Sequence, residues 1–151
     1  MVSTAKPLVC ADVRDVHVRL LPKEIEKLTV VDRGAVVDFE LETGSFTLKL
    51  HRVRVAGVLT GLEKRGGMVE ALLSDGDGTA RVRAWGELAE TLLSFKQGDY
   101  LEVLGTLRVY RGEVYIAASI VRKIGSEGFD FYVKIIERDR RVLSELYASR
   151  I

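Results

Sequence analysis

From residue 51 onward, apolar and polar positions alternate in short runs broken by glycine. Arg52 to Thr60 is Val-rich, and Met68 to Ser74 and Thr79 to Trp85 are two further runs. Tyr100 to Tyr110 and Glu113 to Val121 complete the series. Alternation with a period of two predicts strands, because successive strand side chains point to opposite faces. The breaks read as turns: Lys64-Arg65-Gly66-Gly67, Asp75-Gly76-Asp77-Gly78 and the two-residue loop Arg111-Gly112. Their Asp and Gly residues tolerate positive φ. Glu87 to Phe95 is different, with apolar residues at 88, 92 and 95. That spacing predicts a short helix, ended near Gly98.

Three strands, a short helix and a two-stranded hairpin make up the element order of a five-stranded OB-fold barrel, with its helix between strands 3 and 4. The predicted class is therefore mainly β, with the barrel over residues 51–124. Residues 1–50 form an N-terminal β-rich extension packed on it. There, Val37, Phe39 and Leu41 alternate with Asp38, Glu40 and Glu42, and Phe46, Leu48 and Leu50 follow after Thr43-Gly44. This predicts a hairpin running into the first barrel strand, preceded by a strand over Val9 to Leu20 and a helical turn or two over Pro22 to Leu28. Residues 125–129 read as a small-residue linker. Residues 130–151 read as an amphipathic C-terminal helix, with Tyr132, Ile135, Ile136, Val142, Leu143, Leu146 and Tyr147 on one face. That stripe could cover an open end of the barrel. Its width and the linker before it favour association with helices of partner subunits, since aliphatic side chains left in water forgo about 1.5–3 kcal/mol each.

Composition narrows the function. The chain has 151 residues, 47% hydrophobic and 30% charged, enough for one domain with a real core. Its 23 basic and 22 acidic residues give no bulk attraction to polyanions. Any nucleic-acid role therefore rests on where the charges point. The single cysteine, Cys10, excludes an internal disulfide framework, fits a reducing compartment and reads as a small buried residue. No apolar run is long enough to span a membrane, so no membrane partner is expected. The absence of Asn, a lone Gln97 and many Glu and Arg residues hint at a thermophile. The expected location is the prokaryotic cytoplasm, associated with the nucleoid, or the nucleus in a eukaryote.

Strand parity sorts inside from outside. Val82 and Ala84 point inward, leaving Arg81, Arg83 and Trp85 outward. Likewise Arg108 and Tyr110 face out on the fourth strand, Tyr115 and Ser119 on the fifth, and Arg52 and Arg54 on the first. Val114, Ile116, Ala118 and Ile120 are expected inside. The outer wall thus interleaves guanidinium groups with flat rings. Arginines neutralise phosphates, and rings stack on unpaired bases of any sequence. Against this, arginines on outer faces also serve solubility, and Trp85 could pack under the helix. No other chemistry competes. Asp75-Gly76-Asp77-Gly78 lacks the Glu that a calcium loop needs. His17 and His51 lack metal-ligand spacing, and no nucleophile or phosphate-loop motif occurs. Neither a catalytic site nor a metal or other cofactor is expected.

The segments HRVRVAGVLTGLEKR, ALLSDGDGTARVRAW and GDYLEVLGTLRVYRGEVYIAASIVRKI resemble the OB-fold of the middle subunit of replication protein A, most closely the archaeal versions. The resemblance covers the barrel and, more loosely, the helix after it. It implies a subunit of a heterotrimeric single-stranded DNA-binding complex acting in replication, repair and recombination. By the family pattern, Trp85 and Tyr110 are the base-stacking rings, and the stripe from Tyr132 to Tyr147 joins a three-helix bundle with partner subunits. The telomere-capping relative of that subunit shares the barrel. Three readings follow: a single-stranded DNA-binding subunit, an assembly subunit with little DNA affinity of its own, and an RNA-binding OB module.

Overall fold

The computed structural model describes residues 10–44 and 46–148. Strand β6 (Arg52–Arg65) is the longest strand, at 14 residues. Its first half pairs with β9 (Tyr100–Tyr110), from Arg52 opposite Thr106 to Val58 opposite Tyr100. Its second half pairs with β7 (Met68–Ser74), from Val58 opposite Ser74 to Arg65 opposite Met68. One strand can serve both because its register slips between Leu59 and Gly61, and a bulge bends and twists the strand that carries it. β7 then pairs with β8 (Thr79–Trp85), β8 runs parallel to β10 (Glu113–Lys123), and β10 returns antiparallel to β9. The cycle β6-β7-β8-β10-β9 closes the expected five-stranded barrel. Helix α2 (Gly86–Leu93) follows β8 directly and buries Ala89 and Leu92.

Two glycines make the closure possible. An added Cβ on Gly57 would lie 2.8 Å from the carbonyl oxygen of Ser74, where β6 crosses from one neighbour to the other. One on Gly105 would run into the Ala117 carbonyl of β10. The barrel interior is aliphatic and fully buried, with Val53, Val55, Leu73, Val82, Leu101, Val103 and Ile116 at its centre.

The N-terminal region forms a second sheet. β1 (Cys10–Asp12) runs parallel to β5 (Thr47–Leu50), which pairs with β4 (Val37–Glu42), which pairs with β3 (Thr29–Asp32). The strand expected up to Leu20 is broken after Asp12 by a turn in which the Val16 amide donates to the Val13 carbonyl (3.3 Å). Its second part becomes β2 (His17–Leu20), which leaves that sheet and adds to β6 in parallel. Val9, the first residue of that expected strand, lies outside the described residues. Ala11 points into the core, so Cys10 is exposed on the other face of β1, contrary to its reading as a buried residue. The polar face of β4 departs from simple alternation. Asp38 and Glu40 are buried, Asp38 between Arg33 (2.9 Å) and Arg14 (3.5 Å). Helix α1 (Pro22–Glu26) ties the two sheets together: Lys23 and Thr79 amides donate to Asp75 Oδ2 (3.0 Å) and Glu26 Oε1 (2.8 Å) respectively.

Helix α3 (Gly125–Ala148) begins where a linker was expected. Gly125, Ser126 and Gly128 are weak helix formers, but tertiary packing overrides that weakness. Phe129 and Ile124 pack against the cluster of Ala56, Tyr132 and Ile136, and the Phe129 ring lies 5.5 Å from that of Tyr100, which seats the first turns on the barrel. Further along, Tyr132 and Ile136 are buried against Ala56. The Tyr132 hydroxyl shares its hydrogen between the carbonyls of Leu20 (2.8 Å) and Arg54 (2.5 Å), bridging β2 and β6. Burial, reinforced by the nearby charge of Glu102, pushes that phenol above its ordinary pKa, which favours the protonated, donating form. Arg140 Nη2 donates to Glu24 of α1 (3.0 Å), and Arg19 pairs with Asp139 (3.1 Å). Residues 149–151 lie outside the described residues.

Removing the Tyr132 hydroxyl leaves two strand carbonyls without their buried donor. Tyr132→Phe should lower the unfolding free energy by about 1–2 kcal/mol in chemical denaturation while leaving ligand binding intact. Gly105→Ala should cost about 1–3 kcal/mol through overpacking against β10. Gly67→Ala, at a turn where a Cβ meets nothing within 4 Å, should be close to neutral in the same assay.

Candidate nucleic-acid interface

The outer surface of the barrel has two unlike sides. Over β6 and β9 it is covered by α3, through Tyr132 and Ile136. Over β7, β8, β10 and the far end of β9 the rings stay exposed among the described residues, with Ile25, Leu28 and Val30 of the N-terminal region bordering the face beside Arg81 and Glu113. Trp85 is 50% exposed at the end of β8, and Tyr110 is 54% exposed at the end of β9. Their positions follow from register. Ala117 lies opposite Arg83 across the parallel β8–β10 pair, and Glu113 lies opposite Tyr110 across β9–β10. The two rings therefore stand six register positions apart along the strands, roughly 20 Å at about 3.3 Å per residue. Trp85 adjoins the β6–β7 turn with Lys64 and Arg65, because Met68 is its cross-strand partner. Tyr110 is held at the β9–β10 turn. There Arg111 adopts a left-handed backbone (φ 52°) ahead of Gly112, which makes a tight two-residue hairpin. Its guanidinium sits 5.2 Å from the centroid of the Tyr110 ring.

Between the rings, Arg81, Arg83 and Tyr115 share the face, and they are tied together. Glu70 of β7 lies opposite Arg83 and is only 5% exposed. Its Oε1 accepts from Arg81 Nη1 (3.0 Å) and its Oε2 from Arg83 Nε (2.9 Å). Arg83 is stacked 4.4 Å over the Tyr115 ring, and Arg81 also approaches Glu113 (3.7 Å). Two cations and two carboxylates thus cancel at the centre of the face. At its margins the charge is not cancelled. Arg52, Arg108 and Lys64 are exposed and have no acidic partner among the described residues. Arg65 does have one, and it holds the Glu63 carboxyl below its usual pKa range (3.0 Å).

Arg54 is not brought to the rings. It lies beside α3, half-buried, 4.0 Å from Glu102, a buried carboxylate that also takes Arg122 Nη2 (2.6 Å). In β10, the register slips between Ala118 and Ile120. The bulge turns Ile120 outward, 52% exposed, and puts Val121 into the core instead. Strict alternation had placed Ile120 inside.

The helical stripe is divided. Tyr132 and Ile136 are buried on the barrel and Leu143 touches the main core, so these three pack within the chain. Ile135 is half-buried, while Val142 and Leu146 remain exposed. The Tyr147 side chain lies outside the described residues. Phe131, at 65%, is the most exposed large apolar side chain described. It sits four residues before Ile135, and that spacing was the signal for adding it to the stripe. Glu70, Glu113 and Arg111 were also missed. Cross-strand charge pairing would have raised Glu70, and the position of Arg111 in the loop would have raised that residue. Among the described residues, no group of His, Cys, Asp and Glu side chains is placed to hold a metal ion.

Residues 53–124 match the model of an OB-fold nucleic acid binding domain. Among solved structures, a replication protein A heterotrimer bound to single-stranded DNA superposes with TM-score 0.62 at 17% identity, over 83% of this chain and 98% of that one. The Stn1–Ten1 complex of S. pombe superposes with TM-score 0.62 at 15% identity, over 68% of this chain and 80% of that one. These likenesses show the OB fold. A protein from Thermofilum pendens, described as an uncharacterized 18.7 kDa protein in the ribosomal RNA operon, is 31% identical over 134 residues, covering 86% of this chain and 77% of its own. The chain belongs to the family of that Thermofilum protein, and its barrel is an OB fold.

Proposed function

We propose that the protein binds single-stranded DNA without strong sequence preference, as one subunit of a replication protein A-like complex serving replication, repair and recombination. The observation that carries this reading is the pair of half-exposed rings, Trp85 and Tyr110, at opposite ends of one OB-fold face. A large indole left in water on a well-packed domain forgoes burial that the fold could have supplied, which points to a ligand. Bases stack on the two rings, and phosphates are neutralised along the margins by Arg52, Arg108 and Arg111. The role is binding, with no catalytic step. Likeness to the replication protein A heterotrimer extends over 83% of this chain, well beyond the barrel. This supports a shared arrangement of barrel and flanking elements. The exposed Phe131 and Val142, with the half-buried Ile135 between them, would receive helices from partner subunits.

A second reading takes RNA as the ligand. It is favoured by the position of the Thermofilum relative in a ribosomal RNA operon. Base stacking alone does not separate the two, so competition must.

Trp85 is the only tryptophan, so titration with oligo-dT should quench its fluorescence. Trp85→Ala should weaken binding by about 1–3 kcal/mol, the usual worth of one stacked base. An unquenched indole and an unaffected alanine variant would remove the stacking role. Competition by oligo-U at equal or lower concentration than oligo-dT would shift the reading to RNA. Ile135→Glu combined with Val142→Glu should abolish assembly with other subunits, read by light scattering after purification from the native source. It should leave oligo-dT binding by the isolated chain unchanged. A wild-type chain that purifies alone would count against the helix as an assembly surface.

A further inference from the structure

We infer that Glu70 divides the face into a charge-neutral stacking centre and a phosphate-binding margin. On this view Arg81 and Arg83 are base platforms rather than phosphate ligands. The inference rests on the proposed binding of single-stranded nucleic acid at this face and specifies how that binding is distributed.

The argument starts from burial. A carboxylate that is 5% exposed must be compensated by cations, and Glu70 has two at 3.0 and 2.9 Å. Each uses a different carboxylate oxygen, so both guanidiniums are pinned. Arg83 is confined further by the Tyr115 ring under it at 4.4 Å. Breaking either contact to reach a phosphate would leave Glu70 buried with an uncompensated charge, a cost of several kcal/mol. A single exposed phosphate contact returns far less than that. The guanidinium plane, by contrast, can stack on a base while its ion pair stays intact. The stacked Arg83–Tyr115 pair lies between Trp85 and Tyr110, and with Arg83 12% and Arg81 36% exposed it is Arg81 and the part of Arg83 left open that continue the row of rings. Phosphates then fall to the cations that no carboxylate holds: Arg52, Arg108, Arg111 and Lys64.

Salt dependence distinguishes these roles, because each phosphate contact to a single strand contributes about 0.7 to the slope of log K against log salt. Oligo-dT affinity should be measured from low to moderate salt for four proteins. Arg108→Gln should flatten the slope of the wild type by about 0.7. The charge-balanced double variant Glu70→Gln with Arg83→Gln should lower affinity about tenfold and leave the slope unchanged. Glu70→Gln alone should steepen the slope by about 0.7, because it releases Arg83 toward phosphate while Glu113 (3.7 Å) still holds Arg81. Thermal melting of each variant establishes that it is folded, and the double variant removes the buried charge and its partner together. The inference is overturned if the double variant flattens the slope as much as Arg108→Gln does, since Arg83 would then be a phosphate ligand. It is equally overturned if Glu70→Gln leaves the slope where it was. A wild type that fails to bind any single strand would instead overturn the proposed function itself, and that outcome is distinct from both.

Discussion

Strand β6 has to satisfy three neighbours, with β2 and β9 along its first half and β7 along its second. No flat strand can do this. The slip between Leu59 and Gly61 bends it, and Gly57 lets the backbone of β7 come close enough for the change of partner. Once β6 is bent, the sheet closes on itself, with the short parallel pairing of β8 and β10 at Val82–Ile116 and Arg83–Ala117 as the seam. The same bend sets which outer surface is covered. β2 and α3 both gather on the β6–β9 side, joined there by the hydroxyl of Tyr132 between the Leu20 and Arg54 carbonyls. On the opposite side, β7, β8 and β10 keep the stretch between Trp85 and Tyr110 open among the described residues, bordered by α1 and β3 at one end. The asymmetry that makes a binding face possible is thus a consequence of how the barrel closes.

Charge is organised by a second rule, repeated three times. Asp38, Glu70 and Glu102 are each buried on a sheet surface and each is met by two arginines: Arg14 and Arg33, Arg81 and Arg83, Arg54 and Arg122. A buried carboxylate with one monodentate partner would stay poorly compensated, while two guanidiniums bring positive charge to both oxygens; at Glu102 only Arg122 is hydrogen-bonded, and Arg54 stands 4.0 Å away. These clusters order long side chains that would otherwise be mobile. They also withdraw six arginines from the pool that could meet a polyanion. Beside the ring-bearing face, what remains available lies at its edges and in the β9–β10 turn, while Lys134 and Arg141 are exposed on α3.

The rings were legible from alternation alone. Trp85 and Tyr110 face outward because Val82, Ala84, Leu107 and Val109 follow the inward parity on the same strands. Alternation failed where a strand carries a bulge, and Ile120 is outside for that reason. It failed differently at Asp38 and Glu40. Their parity was right for a polar face, but arginines and neighbouring strands cover that face, so they are buried. The linker over 125–129 was misread because Gly125, Ser126 and Gly128 advertise flexibility, whereas Phe129 against Tyr100 and the Ala56 cluster supplies the tertiary anchor that keeps the helix continuous.

Local chemistry by itself therefore determined the element order, the closed five-stranded class, the two outward rings and an amphipathic final helix. All of these depend on neighbours within a few residues, through pleat, turn preference and helical period. Only the tertiary structure decided which arginines are free, which half of the helical stripe is covered, and which side of the barrel lies open. Those outcomes depend on pairings between residues far apart in the chain, such as Glu70 with Arg83 and Tyr132 with Leu20. No short window of sequence contains both partners of such a contact.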